Sequence, residues 1–321
     1  MLEKYIKSKR KRFIIKRVIK SIPVILIATI VAFTLMRVGG RDPARVILGH
    51  TATEQMISDF NVEHGLDEPY HMQYLNWMYG LFRRGDLGTS LRWGRPVTEL
   101  IRPRLPITFQ LMGLSLLISI VLGVGMGVLG ALHPNTWIDY LTSIQALFWR
   151  SAPSFWVGTI FLLIFGLELG WFPTGGYKNI GYLILPAFVI GLRLQAIISR
   201  LTRSSMLSVL NKEYIKTAQT KGLRKHVVVL KHGLRNALIP VVTIIAMRLP
   251  WMFGGAMITE QIFNIPGMGR FIYNAAMSLD FIAVQSSVLL ITIIAVVANL
   301  GADIAYTFVD PRIELGSSEG A

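Results

Sequence analysis

The 321-residue sequence contains no cysteine. That absence excludes a disulfide framework, thiol catalysis and any zinc or iron–sulfur site built on thiolates. Charge is also scarce, at 16% of residues, against about 25% in soluble globular proteins. Acid is scarcer than base, with 18 Asp and Glu facing 33 Lys and Arg, a net charge of +15. In a soluble chain that excess would point to a nucleic-acid binder. A chain that is 52% hydrophobic with a mean hydropathy of +0.51 is too apolar for that reading. A basic, apolar chain fits cytoplasmic loops of a membrane protein instead. The sequence has no G-x-x-x-x-G-K-[ST] phosphate loop and no H-E-x-x-H pair. His50, His64, His71, His133, His226 and His232 keep no metal-ligand spacing, and no Ser/His/Asp order carries a nucleophile elbow. The residues therefore read as a chain that is not an enzyme, with no cofactor or metal of its own.

Where charge is missing in long runs, membrane spans are expected, because crossing the hydrocarbon takes about 20 mostly apolar residues. Lys20 and Arg37 enclose 16 uncharged residues. Leu105–Leu132 is free of charge over 28 residues. A third run lies between Asp139 and Glu168, a fourth between Lys178 and Arg200, and a fifth between Arg235 and Glu260. Each of these three holds one charge, Arg150, Arg193 and Arg248 respectively. Asp280 and Asp303 enclose 22 uncharged residues, the sixth span. The first run has the basic flank of a signal peptide, but bulky Leu35-Met36-Arg37 follows it instead of a small-residue cleavage site. It reads as a retained anchor. Gly123-Val124-Gly125-Met126-Gly127 lies inside the second span, where small residues let helices approach closely.

The basic residues set the expected orientation. Nine Lys and Arg fall between Lys4 and Lys20, and another nine within 199–237. Six spans with a cytoplasmic N-terminus put both stretches inside, and the C-terminus with them. The expected organisation is a basic segment and first transmembrane helix over 1–36, an extracytoplasmic segment over 37–104, five more helices over 105–312, and a cytoplasmic tail over 313–321. The outer segment carries Phe60, Trp77, Phe82 and Trp93, enough apolar surface to fold. Thr53 to His64 has helical spacing, with Thr51 or Thr53 as N-cap, and Gly85-Asp86-Leu87-Gly88 is a turn signal.

The cytoplasmic stretch from Glu213 to Pro240 shows apolar residues at Tyr214, Ala218, Leu223, Val227, Leu230, Leu234 and Leu238. This spacing predicts two short amphipathic helices separated at Gly222. Ala218 and Gly222, four apart, would share one face. From the residues alone, a helix lying on the membrane and a docking element for a cytoplasmic partner are equally good readings.

Glu213-Tyr214, Thr217-Ala218, Lys221-Gly222-Leu223 and Arg235-Asn236-Ala237-Leu238 with Pro240 resemble the cytoplasmic loop of ABC-importer permeases of the dipeptide, oligopeptide and nickel class. That loop is written Glu-Ala-Ala-x-x-x-Gly across such permeases; here Lys216-Thr217-Ala218 stands at the triplet, so only the last alanine and the glycine match. The same family is resembled at Gly65-Leu66-Asp67, Gly85-Asp86-Leu87-Gly88, Pro153-Ser154-Phe155-Trp156, Gly170-Trp171-Phe172-Pro173 and Arg203-Ser204-Ser205-Met206. Glu260, Pro266-Gly267-Met268-Gly269-Arg270, Asn299, Asp303 and Asp310-Pro311-Arg312 continue the match in order. The long first outer segment is similar to that of the "B" member of the permease pair.

The resemblance implies an all-α polytopic membrane protein that forms half of a solute pathway with a homologous second permease. It implies two cytoplasmic ATPase subunits, which would hold ATP and Mg, and an extracytoplasmic solute-binding protein. The setting would be the lipid of a bacterial or archaeal plasma membrane, with no nucleic acid partner. The implied solute is a peptide, with oligosaccharides or nickel chelates carried by similar machinery. A rival from another class, a secondary transporter or channel, would need a coupling-ion site, and no Asp or Glu lies at a span centre.

Within that frame Glu213, Thr217, Ala218, Lys221, Gly222 and Leu223 are expected to couple to an ATPase. Glu260, Pro266 and Gly267 are expected at an outer gate or binding-protein contact. Arg150, Arg193 and Arg248 are candidate pathway residues. A charge inside a span costs about 2.5–3.5 kcal/mol on insertion scales, so these three would either pair structurally or line a pathway for an anionic group. Arg193 could instead snorkel to the cytoplasmic interface. The family pattern more often has apolar or small residues at Arg150 and Arg248.

Overall fold

Gly49, Gly85 and Gly222 each close a helix, and Pro153 separates two more. The computed structural model describes residues 2–38 and 42–309. Asp310-Pro311-Arg312 and the tail 313–321 lie outside them. The order is α1 (Leu2–Val38), α2 (Pro43–Leu48), α3 (Glu54–Glu63), α4 (Tyr70–Arg84), α5 (Val97–Ile101), α6 (Arg104–Leu132), α7 (Trp137–Ser151) and α8 (Ser154–Phe161). A π-helical turn (Leu162–Glu168) extends α8. Then follow α9 (Gly181–Leu210), α10 (Glu213–Thr220), α11 (Lys225–Val227), a second π-helical turn (Val228–Leu234), α12 (Arg235–Ala237), α13 (Ile239–Ile262), α14 (Met268–Met277) and α15 (Phe281–Val309).

Among the described residues, four helical stretches are apolar and long enough to cross a membrane: Val18–Val38, Val97–Leu132, Gly181–Leu210 and Phe281–Gly301. Two bent pairs pass the same test together, and counting each pair as one span gives up to six among the described residues. One of them, Val228–Leu249, begins and ends earlier than the fifth span expected between Arg235 and Glu260. Trp137–Ser151 and Ser154–Glu168, which hold the third span expected between Asp139 and Glu168, meet at 105°. Pro153 is the cause. The residue before a proline is pushed out of the α region, and Ala152 is extended (φ −64°, ψ 129°). Val228–Ala237 and Ile239–Leu249 meet at 44°, where Pro240 stands in the first turn of α13.

The chain forms two compact units. The first comprises the residues up to Thr108 together with Pro266–Val297. Its core holds Val97, Leu100 and Ile101 of α5, Met268, Phe271 and Ala275 of α14, and Ala283 and Val284 of α15. Thr53 caps α3 by accepting from the Met56 amide at 3.3 Å. The Gly85–Gly88 turn docks on α15: Ser286 Oγ donates to the Leu87 carbonyl at 2.6 Å, and Trp77 Nε1 donates to the same oxygen at 3.2 Å. Gly88 has φ +88°, and a Cβ there would stand 2.7 Å from Ile282 Cγ2, so both backbone and space require glycine. Beside it Asp280, fully buried, accepts from Ser90 Oγ and from the amides of Leu91, Arg92 and Ala283.

The second unit comprises Phe109–Ile265 and the residues from Ala298. Here α9 packs along α6 by removing side chains from the contact. A Cβ on Gly123 would lie 2.7 Å from Ile198, and one on Gly127 would lie 2.5 Å from Thr202 Cβ and 2.6 Å from the Ser199 carbonyl. Gly191 approaches the Ser115 carbonyl in the same way, and Ser119 Oγ donates to the Gly191 carbonyl at 2.8 Å. Gly125, between the two contact glycines, faces open space. The glycine run therefore acts as the expected close-approach surface, on one face only.

Candidate coupling block, pathway cleft and outer turn

The segment from Glu213 to Pro240, expected in the cytoplasm, begins as a helix closed by glycine and packed on the ends of longer helices. Glu213 opens α10, where a carboxylate suits the helix dipole. The helix ends at Lys221, and Gly222 takes the left-handed conformation, φ +75°. The Gly222 amide donates to the Gln219 carbonyl at 2.9 Å and the Leu223 amide to the Ala218 carbonyl at 3.4 Å. These are the two reverse bonds of a Schellman end. Ile215, fully buried, and Ala218 pack against Val228, Val209 and Leu210. The expected shared face of Ala218 and Gly222 is thus corrected: Ala218 turns inward, while Gly222 has nothing within 4 Å of a Cβ position. The outward surface of α10 carries Glu213, Tyr214, Lys216 and Thr217, with Lys221 following. Ile215 was missed in the sequence because it sits between the charged Glu213 and Lys216.

The second half departs from the expected stripe. Leu223 and Leu230 are exposed, while Val228, Val229, Gly233 and Ala237 are buried. The π-helical winding, with i→i+5 bonds, rotates the later residues away from a 3.6-residue register. Val229 and Ala237 pack with Ala131 of α6 and Met206 of α9. Asn236 Nδ2 donates to the Tyr214 hydroxyl at 3.0 Å, joining the two halves. A further tie escaped sequence reasoning because its partners lie 64 residues apart. Asp139, buried at the start of α7, holds Arg203 of α9 through two charge-assisted hydrogen bonds, Nε to Oδ1 at 2.5 Å and Nη2 to Oδ2 at 2.6 Å.

Of the three pathway arginines, the structure brings two together. Arg193 and Arg248 line one cleft of about 440 Å³, with Ser154, Trp251, Gly254 and Gly255 among its walls. Trp251 is 75% exposed. Arg193 is therefore a cleft residue and not only a neighbour of Arg200. Arg150 does not line the cleft. It stands in the last turn of α7, exposed, two residues before the break at Ala152.

The outer-turn residues fall in different settings. Glu260 is fully buried, and its carbonyl accepts from the Ile265 amide at 2.8 Å. The expectation of an outer gate or binding-protein contact at Glu260 therefore concerns a side chain packed inside this chain. Pro266 is exposed and Gly267 caps α14. Both line a cleft of about 190 Å³ in the first unit, with Trp93, Arg104 and Arg270.

Comparison with known proteins covers nearly the whole chain. Residues 119–315 match the family described as "Binding-protein-dependent transport system inner membrane component". Residues 10–112 match "Binding-prot-dependent transport system membrane comp, N-term". The chain is 40% identical over 313 residues to the oligopeptide transport system permease protein AppB of Bacillus subtilis, covering 94% of this chain and 99% of that one. It is 38% identical over 330 residues to the dipeptide transport system permease protein DppB of Alkalihalophilus pseudofirmus, again covering 94% and 99%. Among solved structures, a chain of the MetNI methionine ABC transporter superposes with a TM-score of 0.57 at 16% identity, covering 66% of this chain and 97% of that one, a likeness of fold. The full-length matches and the shared helical architecture make this chain a member of the binding-protein-dependent transport system inner membrane component family.

Proposed function

We propose that this chain is one of two permease subunits of an ATP-driven importer for peptides. It pairs with a homologous permease, receives its solute from an extracytoplasmic binding protein, and is driven by two ATPase subunits that hold ATP and Mg. Both termini face the cytoplasm of a bacterium or archaeon. The relatives named for oligopeptide and dipeptide transport support the solute class. The observation that carries the coupling role is the packing of α10. Ile215 and Ala218 fix it against Val209 and Leu210 at the end of α9, so a push on its outward face reaches the membrane helices without an intervening hinge. Glu213, Thr217, Lys221, Gly222 and Leu223 form or terminate the surface an ATPase would press. Pro266 and Gly267 serve the outer face.

Thr217 is exposed and its hydroxyl only back-bonds to the Glu213 carbonyl at 3.1 Å, so its side chain can be enlarged without disturbing the fold. Thr217→Trp should leave membrane insertion intact, abolish uptake, and remove the ATPases from the purified complex. Uptake at the normal rate by this variant would take α10 out of the mechanism. Orientation has its own test in a chain with no native cysteine. Thr89→Cys should react with an impermeant thiol reagent outside sealed cells, and Lys221→Cys should not.

A further inference from the structure

Arg193 and Arg248 come from different helices and meet on one cleft. Arg193 lies 12 residues into α9, about 18 Å along its axis, and Arg248 lies 9 residues into α13, about 14 Å along. Arg193 thus falls within the apolar stretch Gly181–Leu210, while Arg248 is the penultimate residue of the bent apolar pair Val228–Leu249. Neither guanidinium has an ion pair or hydrogen bond among the described residues, and both are exposed to the cleft. No Asp or Glu lines it. Two cations on apolar segments with no anion to neutralise them are disfavoured against lipid. They are tolerated where water reaches them and where an anion periodically arrives. Their neighbours suit such a place. Trp251 offers an exposed ring, and Gly254 and Gly255 have nothing within 4 Å of a Cβ position, which leaves the wall open to a guest.

We infer that Arg193 and Arg248 form an anion-reading station on the solute path, which takes a carboxylate of the passing solute in preference to a neutral or cationic group. The inference rests on the permease reading above and adds a charge class to its solute. Guanidinium is the suitable cation for this task. It keeps its charge at any working pH, and its planar fork matches both oxygens of a carboxylate. In a water-filled cleft each contact is weak, so the station discriminates without trapping. A cleft lined by one sign of charge also concentrates counter-ions, by about tenfold or more.

Two measurements on the assembled transporter test this, and their failures are distinguishable. In the first, Ser154→Cys places a single thiol on the cleft wall, and membranes containing the complex are treated with an anionic or a cationic methanethiosulfonate. The anionic reagent should react about tenfold faster relative to its rate on free thiol. That preference should collapse in the Arg193→Gln, Arg248→Gln background and persist when both are Lys. Equal rates for the two reagents, or no reaction with either, would overturn the station. The second compares ATP-driven uptake of Ala-Glu-Ala, Ala-Gln-Ala and Ala-Lys-Ala. Each single Gln variant should lower Glu-peptide uptake about threefold relative to the Gln peptide, the scale of an exposed charge pair. An unchanged ratio alongside normal uptake means that the arginines meet a partner subunit's carboxylate, and the inference fails. Absence of ATP-driven uptake of every peptide by the unmodified complex would instead sink the permease reading, while the labelling result would stand on its own.

Discussion

Arg193 and Arg203 sit ten residues apart on the same helix and are treated in opposite ways. Arg203 is clamped by two hydrogen bonds to buried Asp139. Arg193 is exposed on a cleft with Arg248 and has no carboxylate partner among the described residues. The first arrangement fixes the start of α7 to the lower part of α9, close to the Val209–Leu210 surface on which α10 rests. The second leaves two donors open. One helix thus carries a paired cation near its end and an open one along its middle. The difference implies that removing charge should damage assembly at one site and selectivity at the other.

The largest effect should come from the Asp139–Arg203 pair. Asp139→Asn leaves Arg203 without its counter-ion, and breaking one side of a buried pair costs about 3–5 kcal/mol. Arg203 keeps 31% of its side-chain surface exposed, so water should recover part of that, and the low end of the range is expected. The purified complex should unfold several degrees earlier on heating. The double variant Asp139→Asn, Arg203→Gln should be less damaged than the two single losses added together, because no unpaired charge remains. Strict additivity would mean that the two groups do not work as a pair. By contrast, Arg193→Gln and Arg248→Gln should shift the same midpoint hardly at all, since neither loses a partner. Strong destabilisation by either would erase the contrast drawn here.

Next in size is the α6–α9 contact that holds both sites at their depths. Gly127→Leu drives a side chain into Thr202 and the Ser199 carbonyl, and overpacking of this kind costs about 1–3 kcal/mol. Gly125→Leu, two residues earlier, meets nothing within 4 Å and should be neutral within the chain. The pair of variants separates a helix contact from a general need for small residues. Equal loss in both would place Gly125 against another subunit.

Much of this was legible in the sequence. Hydrocarbon excludes charge, so gaps between Asp, Glu, Lys and Arg locate the spans directly. Thr53 as a cap, the Gly85–Gly88 turn and the glycine run follow from local rules and stand in the structure. What was not legible depends on distance or on unusual winding. The consequence of Pro153 went unread, although the proline itself was visible, because a charge gap does not reveal a bend. The π-helical winding turned Leu230 outward and buried Val228, Val229 and Gly233, while Leu223 falls in the link before that helix. The meeting of Arg193 with Arg248 and of Asp139 with Arg203 needs tertiary contacts that no periodicity encodes.

The smallest effect, and the most local, concerns Gly222. Its φ of +75° is costly for an ordinary L residue, by about 1–2 kcal/mol. There is open space around its Cβ position, so the cost of a side chain is backbone strain and not collision. Gly222→Ala should therefore fray the last turn of α10 without unfolding the protein. Trypsin cleavage after Lys221, which is exposed, reports that fraying. Asparagine tolerates the left-handed region better than alanine. Cleavage should accelerate in the order Gly, Asn, Ala, with uptake falling in the same order if the helix end is all that matters. An Asn variant that resists trypsin like the parent yet fails in uptake would show that a partner needs the bare backbone at 222. The residue would then belong with the contact surface as well as with the helix end. Identical cleavage of the Gly and Ala forms would show that the two reverse hydrogen bonds do not need the left-handed residue, and the account of how α10 is closed would fall.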